Sequence, residues 1–174
     1  MRVNPLVARS GARVREVRTS RGLSLSALAE AAGIGKGSLS ELENGVRNPT
    51  LATLYALAAP LQVPLATLLA DTPGATLDGD GVAVRLLDTR RSAVDVREVY
   101  LLDLAPDAVR EATGHGAGVV EHVLVTAGDL EVGRSEATAT VTSGGSHSWT
   151  SDAAHVYRAG PAGAAAVLTI VTPA

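Results

Sequence analysis

Residues 24–61 read SLSALAEAAGIGKGSLSELENGVRNPTLATLYALAAPL, and the fold of the front of the chain turns on them. Ser24 stands at an N-cap position, ready to accept from a backbone N–H of a helix over 25–32. Gly33 breaks that helix and Ile34 plugs the turn. The spacing predicts the next helix over 36–44, stopped by Gly45 at the usual left-handed position. A fourth helix starts after Pro49 and Thr50 and runs to about Leu61; a fifth starts at Pro64 and ends near Ala70. Upstream, 5–20 reads as a first helix, with Pro5 suited to its first turn. Val14 and Val17, with Leu6 and Val7 behind them, supply its apolar stripe.

A helix, a tight glycine turn and a second helix make a helix-turn-helix. One helix crosses the DNA backbone while the next lies in a major groove about 12 Å wide. Their contact positions are small or aliphatic: Leu28, Ala29, Ile34, Leu39 and Leu42. The other face of the second helix is polar: Lys36, Ser38, Ser40, Glu41, Asn44. The run from Ala29 to Gly33 and the ELENG…R.PTLATL pattern resemble the phage-repressor-like helix-turn-helix of the XRE regulator family over roughly residues 7–70. The resemblance implies that the third helix is the recognition helix. Lys36, Gly37 and Glu41 then fall where the family reads base edges, and Ser38, Ser40, Asn44 and Arg47 at or near backbone contacts. Where the family usually opens its second helix with a phosphate-holding Gln, this chain has Leu25. Gly35 and Gly37 shorten the reading surface, which shifts weight toward phosphate contact and DNA shape. Regulators of this design bind as two-fold dimers with half-sites about 34 Å apart, so a homodimer on a palindromic operator of double-stranded DNA is expected. The arginines of the first helix, Arg9, Arg13, Arg15, Arg18 and Arg21, read as a solvated face.

Composition supports two modules. The 174 residues are 46% hydrophobic and 19% charged, which is no disordered tail. Absence of cysteine excludes a disulfide framework, a zinc finger and a thiol nucleophile. Phe is absent and only one Trp and three Tyr occur, too few rings for single-strand stacking platforms. Residues 1–74 hold 8 basic against 5 acidic side chains, and residues 75–174 hold 7 against 13. A basic front and an acidic back place the anionic partner at the front. No apolar run nears the roughly 18–20 residues of a membrane span, and MRVNPLVARSGARVRE has no signal-like stretch. A soluble cytoplasmic protein with no membrane partner is expected.

The chain changes character near residue 70. Residues 71–81 (DTPGATLDGDG) are rich in breakers and acids and read as a linker between a helix-turn-helix domain at 1–70 and a strand-rich domain at 82–174. The latter offers about eight short strands: 82–87, 94–104, 119–126, 130–132, 137–141, 146–149, 154–159 and 164–171. Gly128-Asp129 reads as a hairpin turn between two of them. In 94–104 the apolar face has one polar exception, Glu98. Such a pattern implies a β-sandwich or barrel.

All four histidines lie in this back half. Imidazoles and a carboxylate meeting inside a barrel could hold a divalent transition metal. The stretch GHGAGVVEH at 114–122 resembles the first cupin motif, with His115, Ala117, Glu121 and Gly128 at its spacing; the second is echoed from Gly145 to His155, with Trp149 at its aromatic position. The resemblance implies an all-β cupin-like barrel (a jelly roll). It also implies a site of His115, Glu121, Trp149 and His155, with His115, Glu121 and His155 as metal ligands. The second expected ligand histidine is Ala117, which should point inward and leave a gap. Two readings stay open: a two-histidine, one-carboxylate metal site, or a degenerate site whose polar side chains bond to one another or to a ligand. His122 should face solvent; Tyr100, Tyr157 and Arg97 are further pocket candidates. No catalytic triad or phosphate loop occurs. The leading function is a DNA-binding transcriptional regulator, not an enzyme, whose barrel senses a small-molecule effector or mediates dimerisation. The alternative is a metal-dependent cupin enzyme with an accessory DNA-binding domain.

Overall fold

The computed structural model describes residues 5–70 and 72–174, with side chains from residue 9 on. Asp71 and the side chains of Leu6 and Val7 therefore lie outside the described residues. The chain divides into two compact units, Met1–Ala75 and Thr76–Ala174.

The first unit holds five helices among the described residues: α1 Pro5–Ser20, α2 Leu25–Ala31, α3 Lys36–Glu43, α4 Leu51–Leu61 and α5 Leu65–Leu68. Ser24 caps α2 by accepting from Ala27 N at 3.1 Å, and Thr50 caps α4 by accepting from Thr53 N at 3.2 Å. Gly33 and Gly45 sit at φ +63° and +69°, a region open to glycine at little cost. Leu28, Leu39, Leu42, Leu51, Leu54, Leu57 and Leu61 are all fully buried. Each such burial contributes roughly 1.5–3 kcal/mol, so packing sets the angle between α2 and α3. Gly11 is buried where α1 meets α3, and a Cβ there would overlap the carbonyl oxygen of Leu42.

The second unit is built from eight strands: β1 Thr76–Gly79, β2 Val82–Arg91, β3 Asp95–Leu104, β4 Val109–Ala112, β5 Val120–Arg134, β6 Ala137–Thr142, β7 Ser146–Thr150 and β8 His155–Pro173. All are antiparallel. The pairing path runs β1-β2-β3-β8-β5-β6, with β4 added to β8 and β7 to β5. Two long strands organise it. The later part of β8 lies between β3 and the first part of β5; the earlier part of β8 lies between β4 and the last part of β5. The result is two leaves that share β5 and β8. The expectation of a strand-rich, cupin-like back half holds in this coarser form. Pairing does not close a barrel, since β1 and β6 stand at the ends of the path.

Three expectations are corrected here. Gly128-Asp129 is no hairpin turn. It lies inside β5, where the register with β8 shifts between Val125 and Ala127 and again between Gly128 and Leu130. Gly128 (φ +69°) comes so close to the Gly163 backbone that a Cβ would overlap the Gly163 carbonyl oxygen. The glycine thus marks a bulge where the leaves bend. The two strands read at 154–159 and 164–171 are likewise one, β8. Finally, the stretch read as a linker contains β1, joined to β2 through Asp80 and Gly81 at φ +54° and +76°. That is an Asp-Gly turn of the hairpin type.

Candidate functional site

The exposed face of α3 carries Lys36, Gly37 and Glu41, and Asn44 and Arg47 follow it, all exposed; Ser38 and Ser40 are half-buried. Several of these side chains are already engaged. Asn44 Nδ2 donates to the Ser40 carbonyl at 2.8 Å, closing the helix end. Arg47 Nη1 donates to Ser38 Oγ at 3.1 Å and lies 3.9 Å from Glu41 Oε2. Lys36 projects from the first turn of α3, the one lysine of the chain.

Beneath this face lies a contact that sequence reading missed. Arg18 of α1 grips Glu43 at the end of α3 with two parallel bonds, Nε to Oε1 at 2.6 Å and Nη2 to Oε2 at 2.8 Å. A third donor, Nη1, reaches the Leu23 carbonyl at 2.8 Å. The two side chains are only 12% and 5% exposed. Contact with Glu43 raises the guanidinium pKa against the opposing effect of burial. Arg18 is therefore an internal brace and not part of a solvated face. Arg13 Nε donates to the Thr67 carbonyl at 3.3 Å, and Arg21 Nη2 to the Gln62 carbonyl at 3.1 Å, so the basic helix is partly turned to holding its own unit together.

In the second unit, His115, Glu121 and His155 converge. One donor atom from each lies within 4.8 Å of the others. His115 Nε2 is 3.1 Å and His155 Nε2 3.2 Å from the same oxygen, Glu121 Oε1. Glu121 and His155 are buried; His115 is 17% exposed and forms the outer side. The leaves create this meeting. Glu121 on β5 is in register with Trp149 and Ile170, while His155 on β8 is in register with Ala112 and Arg134. They are not sheet neighbours, so they touch across the interior. Tyr157 joins them from the same leaf as His155, donating to Glu121 Oε2.

The protonation logic is specific. His155 Nδ1 lies 3.1 Å from the Ala153 carbonyl, which can only accept, so Nδ1 carries a proton. In the neutral ring Nε2 is then a lone pair, facing a carboxylate oxygen that also only accepts. Neither atom has a hydrogen-bond partner of acceptable angle despite the short separation. A buried orphan of this kind costs about 1–3 kcal/mol. Two lone pairs held together call for a cation between or beside them, a proton or a metal ion. Burial pushes the Glu121 carboxyl up, but the two histidines outweigh it and hold it well below the usual carboxylate range. Burial likewise pulls His155 down, and Glu121 overrides it to give a net rise; the charge of Arg110 on β4 acts in the lowering sense. The donor set fits a divalent transition metal in type, and a ring N–H bonded to a backbone carbonyl is what metal-ligating histidines usually show.

The remaining sequence candidates sort clearly. Trp149 is buried beside the cluster, its ring 6.1 Å from that of His155 and 5.8 Å from that of Tyr157. His147 stacks on it at 5.9 Å. Ala117 does not point inward. It is exposed in a turn between Gly116 and Gly118, both at positive φ, because His115 precedes β5 and the alternation of a strand does not apply there. His122 is exposed as expected. Tyr100 is buried and donates to Glu98 Oε1 at 2.7 Å, and Arg97 is an exposed partner of Asp95. Arg110, half-buried and in register with Tyr157, went unrecognised. Its short strand carries no periodic signal.

The helix-turn-helix family HTH_3 matches residues 14–68. The HTH-type transcriptional regulator SutR of Escherichia coli is 31% identical over 158 residues, covering 84% of this chain and 85% of that protein. The HTH-type transcriptional regulator SinR of Bacillus licheniformis is 39% identical over 70 residues, covering 40% of this chain and 63% of that protein. The crystal structure of an HTH_3 family transcriptional regulator from Vibrio cholerae superposes with a TM-score of 0.83 over 97% of this chain and 98% of that one, at 24% identity. It shares the fold of both units. Among the described residues, no helix is long and apolar enough to cross a membrane.

Proposed function

The chain belongs to the HTH-type transcriptional regulators, and from that premise we propose how its two units divide the work. The first unit reads DNA with α3. Lys36, Gly37 and Glu41 face base edges; Ser38, Ser40, Asn44 and Arg47 serve the flanking phosphates. Glu41, where it reads, accepts from a cytosine amine. The protein acts as a cytoplasmic homodimer on a palindromic operator, since one helix of this length covers only a half-site.

The second unit is a cupin-type sensor of a small molecule. His115, Glu121 and His155 hold a divalent transition metal there. The observation that supports this is the convergence of His115 Nε2 and His155 Nε2, 3.1 and 3.2 Å from the same buried oxygen, Glu121 Oε1, while His155 Nδ1 is committed to Ala153. When bound, the ion supplies a Lewis-acidic docking point for a ligand atom. This chain's own residues orient it: Ala153 fixes the His155 ring, Tyr157 fixes the far oxygen of Glu121, and Trp149 walls the site. An effector regulates by binding the DNA-competent and incompetent dimers with different affinity. The non-enzymatic reading is supported by relatives that are themselves named as regulators.

The test uses purified full-length protein. Binding to a duplex from its own promoter region is followed by fluorescence anisotropy over a salt series, for wild type, Lys36→Ala and Asn44→Ala. Weakened binding in both, with a steep salt dependence, is expected. Unchanged affinity in both removes α3 as the reading element. Elemental analysis after incubation with Co2+ or Zn2+ should give one ion per chain, lost in Glu121→Gln. Absence of uptake removes the metal.

A further inference from the structure

The later part of β8 reads AAAVLTIV over residues 164–171. An antiparallel strand with one wet face alternates apolar and polar, whereas a near-continuous apolar run marks a strand covered on both faces. The inward positions of β8 are accounted for, since Ala166, Leu168 and Ile170 are buried in the core. The outward ones, Val167, Thr169 and Val171, are only partly covered. Neighbouring strands continue the pattern. Val167 is in register with Leu101 of β3 and Leu124 of β5, and Leu124 in turn with Ser146 of β7. Thr169 is in register with Val99 and His122, and His122 with Ser148. Two rows thus cross four strands on the outer side, and neither holds a carboxylate, a lysine or an arginine. Val171 and Val120 add a third level beside Arg97. Leu124 is 45% exposed, and it helps to line an open depression of about 510 Å3 on this side of the sheet.

Charge decides what fits there. Residues 75–174 carry 7 basic against 13 acidic side chains, so polyanions are repelled from this half of the chain. A basic partner would settle on the acids, which the two rows lack. The face suits a partner that is apolar at the same place and carries a like charge elsewhere. A second copy of this chain meets both conditions, because two acidic surfaces repel least where neither presents an acid. The extent is that of an interface core. Four strands about 4.8 Å apart, with three outward positions spaced about 6.8 Å along each, cover roughly 19 by 20 Å. Arg85, Arg97 and Asp103, exposed on β2 and β3, frame it on one side. They supply the polar rim of a contact whose standard size is about 800 Å2 per partner.

We propose that the outer face of β3, β8, β5 and β7 is the surface on which two copies of the chain pair, related by a two-fold axis that sets each patch on its own likeness. The inference rests on the homodimer given under the proposed function and names the surface that makes it. Glu121 and His122 are successive residues of β5 and point to opposite sides of the sheet. The pairing surface therefore lies directly behind the histidine–glutamate cluster and leaves it free.

The test uses the full-length chain. The mass of free protein at micromolar concentration is measured by light scattering for wild type, Leu124→Glu, Ser148→Glu and Ala137→Glu. The last change is an exposed one on β6, away from the two rows. Wild type and Ala137→Glu should show twice the 17.7 kDa of one chain. Leu124→Glu and Ser148→Glu set like charges against each other and should weaken pairing about tenfold or more. Both should bind the operator less tightly while binding a half-operator duplex as wild type does, because the helical unit is untouched. A dimeric wild type whose Leu124→Glu and Ser148→Glu forms are equally dimeric overturns the face and leaves the homodimer standing. So does an Ala137→Glu form as disrupted as they are. Wild type that stays single in free solution also overturns the face, which then belongs to a different partner. In that case two chains counted on the operator keep the homodimer, and one chain removes it. Should Leu124→Glu lose its far-ultraviolet ellipticity, Ser148→Glu decides, since it alters an exposed polar position.

Discussion

His155 Nε2 and Glu121 Oε1 lie 3.2 Å apart although their strands put them in different leaves of the sheet. Neither residue is held there by its strand neighbours. The contact exists because β5 bulges at Gly128 and β8 runs through both leaves, which brings the histidine back over the glutamate. The bend that makes the fold also makes the site.

Metal-free protein should therefore show a stability optimum in mildly acidic solution. His155 is raised above its ordinary 6.5, so its contribution is fully present below about 6.5 and is lost as pH rises through the higher folded value. Glu121 is depressed below its ordinary 4.5, so its contribution is present above about 4.5 and is lost as pH falls toward the folded value. Thermal unfolding followed by Trp149 emission isolates the strand-rich unit. Its midpoint should fall on the alkaline side, and added Zn2+ should cancel that fall, because the ion binds the neutral ring. A flat profile between pH 5 and 9 without metal would contradict the proton-or-metal logic.

The brace under α3 gives a second expectation. Arg18→Ala leaves the buried Glu43 carboxylate unpaired, which costs about 3–5 kcal/mol in comparable pairs. Helical ellipticity at the far-ultraviolet minimum reports the first unit, where the described helices lie. It should melt earlier in Arg18→Ala, while the Trp149 signal of the second unit stays in place. A double change to Arg18→Met with Glu43→Leu should recover much of the loss, since an apolar pair of similar size needs no charge compensation. Loss in the double variant as large as in the single one would show that the ions are needed for more than balance.

Gly11 offers a third. The α1 backbone rests against the Leu42 carbonyl, so Gly11→Ala forces the helices apart despite the better helix propensity of alanine. Overpacking of this sort costs about 1–3 kcal/mol. Operator affinity should fall along with the melting temperature of the first unit, because the displaced element is α3. Gly37→Ala, on the open face of the same helix, meets nothing within 4 Å and should be stabilising or neutral. Equal effects at the two glycines would discount the close approach.

The front of the chain was legible because its signals are local. Ser24, Gly33, Gly45 and Thr50 announce helix ends by the hydrogen bonds and φ angles they supply, and leucine periodicity does the rest. The Arg18–Glu43 pair was not legible, since nothing in the spacing of an arginine on one helix says which distant carboxylate it meets. In the back half, the residues of the cluster came from the resemblance to the cupin motifs, and β2, β3, β6 and β7 were legible from alternation, whereas β1 and β4 were missed and β5 and β8 were each read as two strands. Gly128-Asp129 looks like a turn because glycine serves turns and bulges alike, and only the partner strand decides between them. The Asp80-Gly81 turn was the opposite case, a genuine hairpin signal hidden inside a stretch that looked like linker. Ala117 misled for a related reason: inward alternation was applied to residues that precede the strand.

Glu41 sets the last expectation. On the face proposed to meet DNA it is the one exposed carboxylate of α3, and it lies 3.9 Å from the guanidinium of Arg47. Arg47 is held further by Ser38. In free protein, then, a basic side chain suited to phosphate is parked on α3, and on the proposed reading the carboxylate would repel a duplex that does not offer it a donor. Glu41→Ala removes the repulsion and loosens Arg47 together. Binding to random duplex should tighten, and the salt dependence should steepen by about one further phosphate contact, a change of roughly 0.9 in the log–log slope. Operator binding should gain less, because the base contact is lost, so the ratio of specific to non-specific affinity should drop. Anisotropy titrations of operator and scrambled duplexes across a salt series measure both slopes. A parallel gain on the two duplexes would reduce Glu41 to plain charge repulsion, and a loss on both would make it structural.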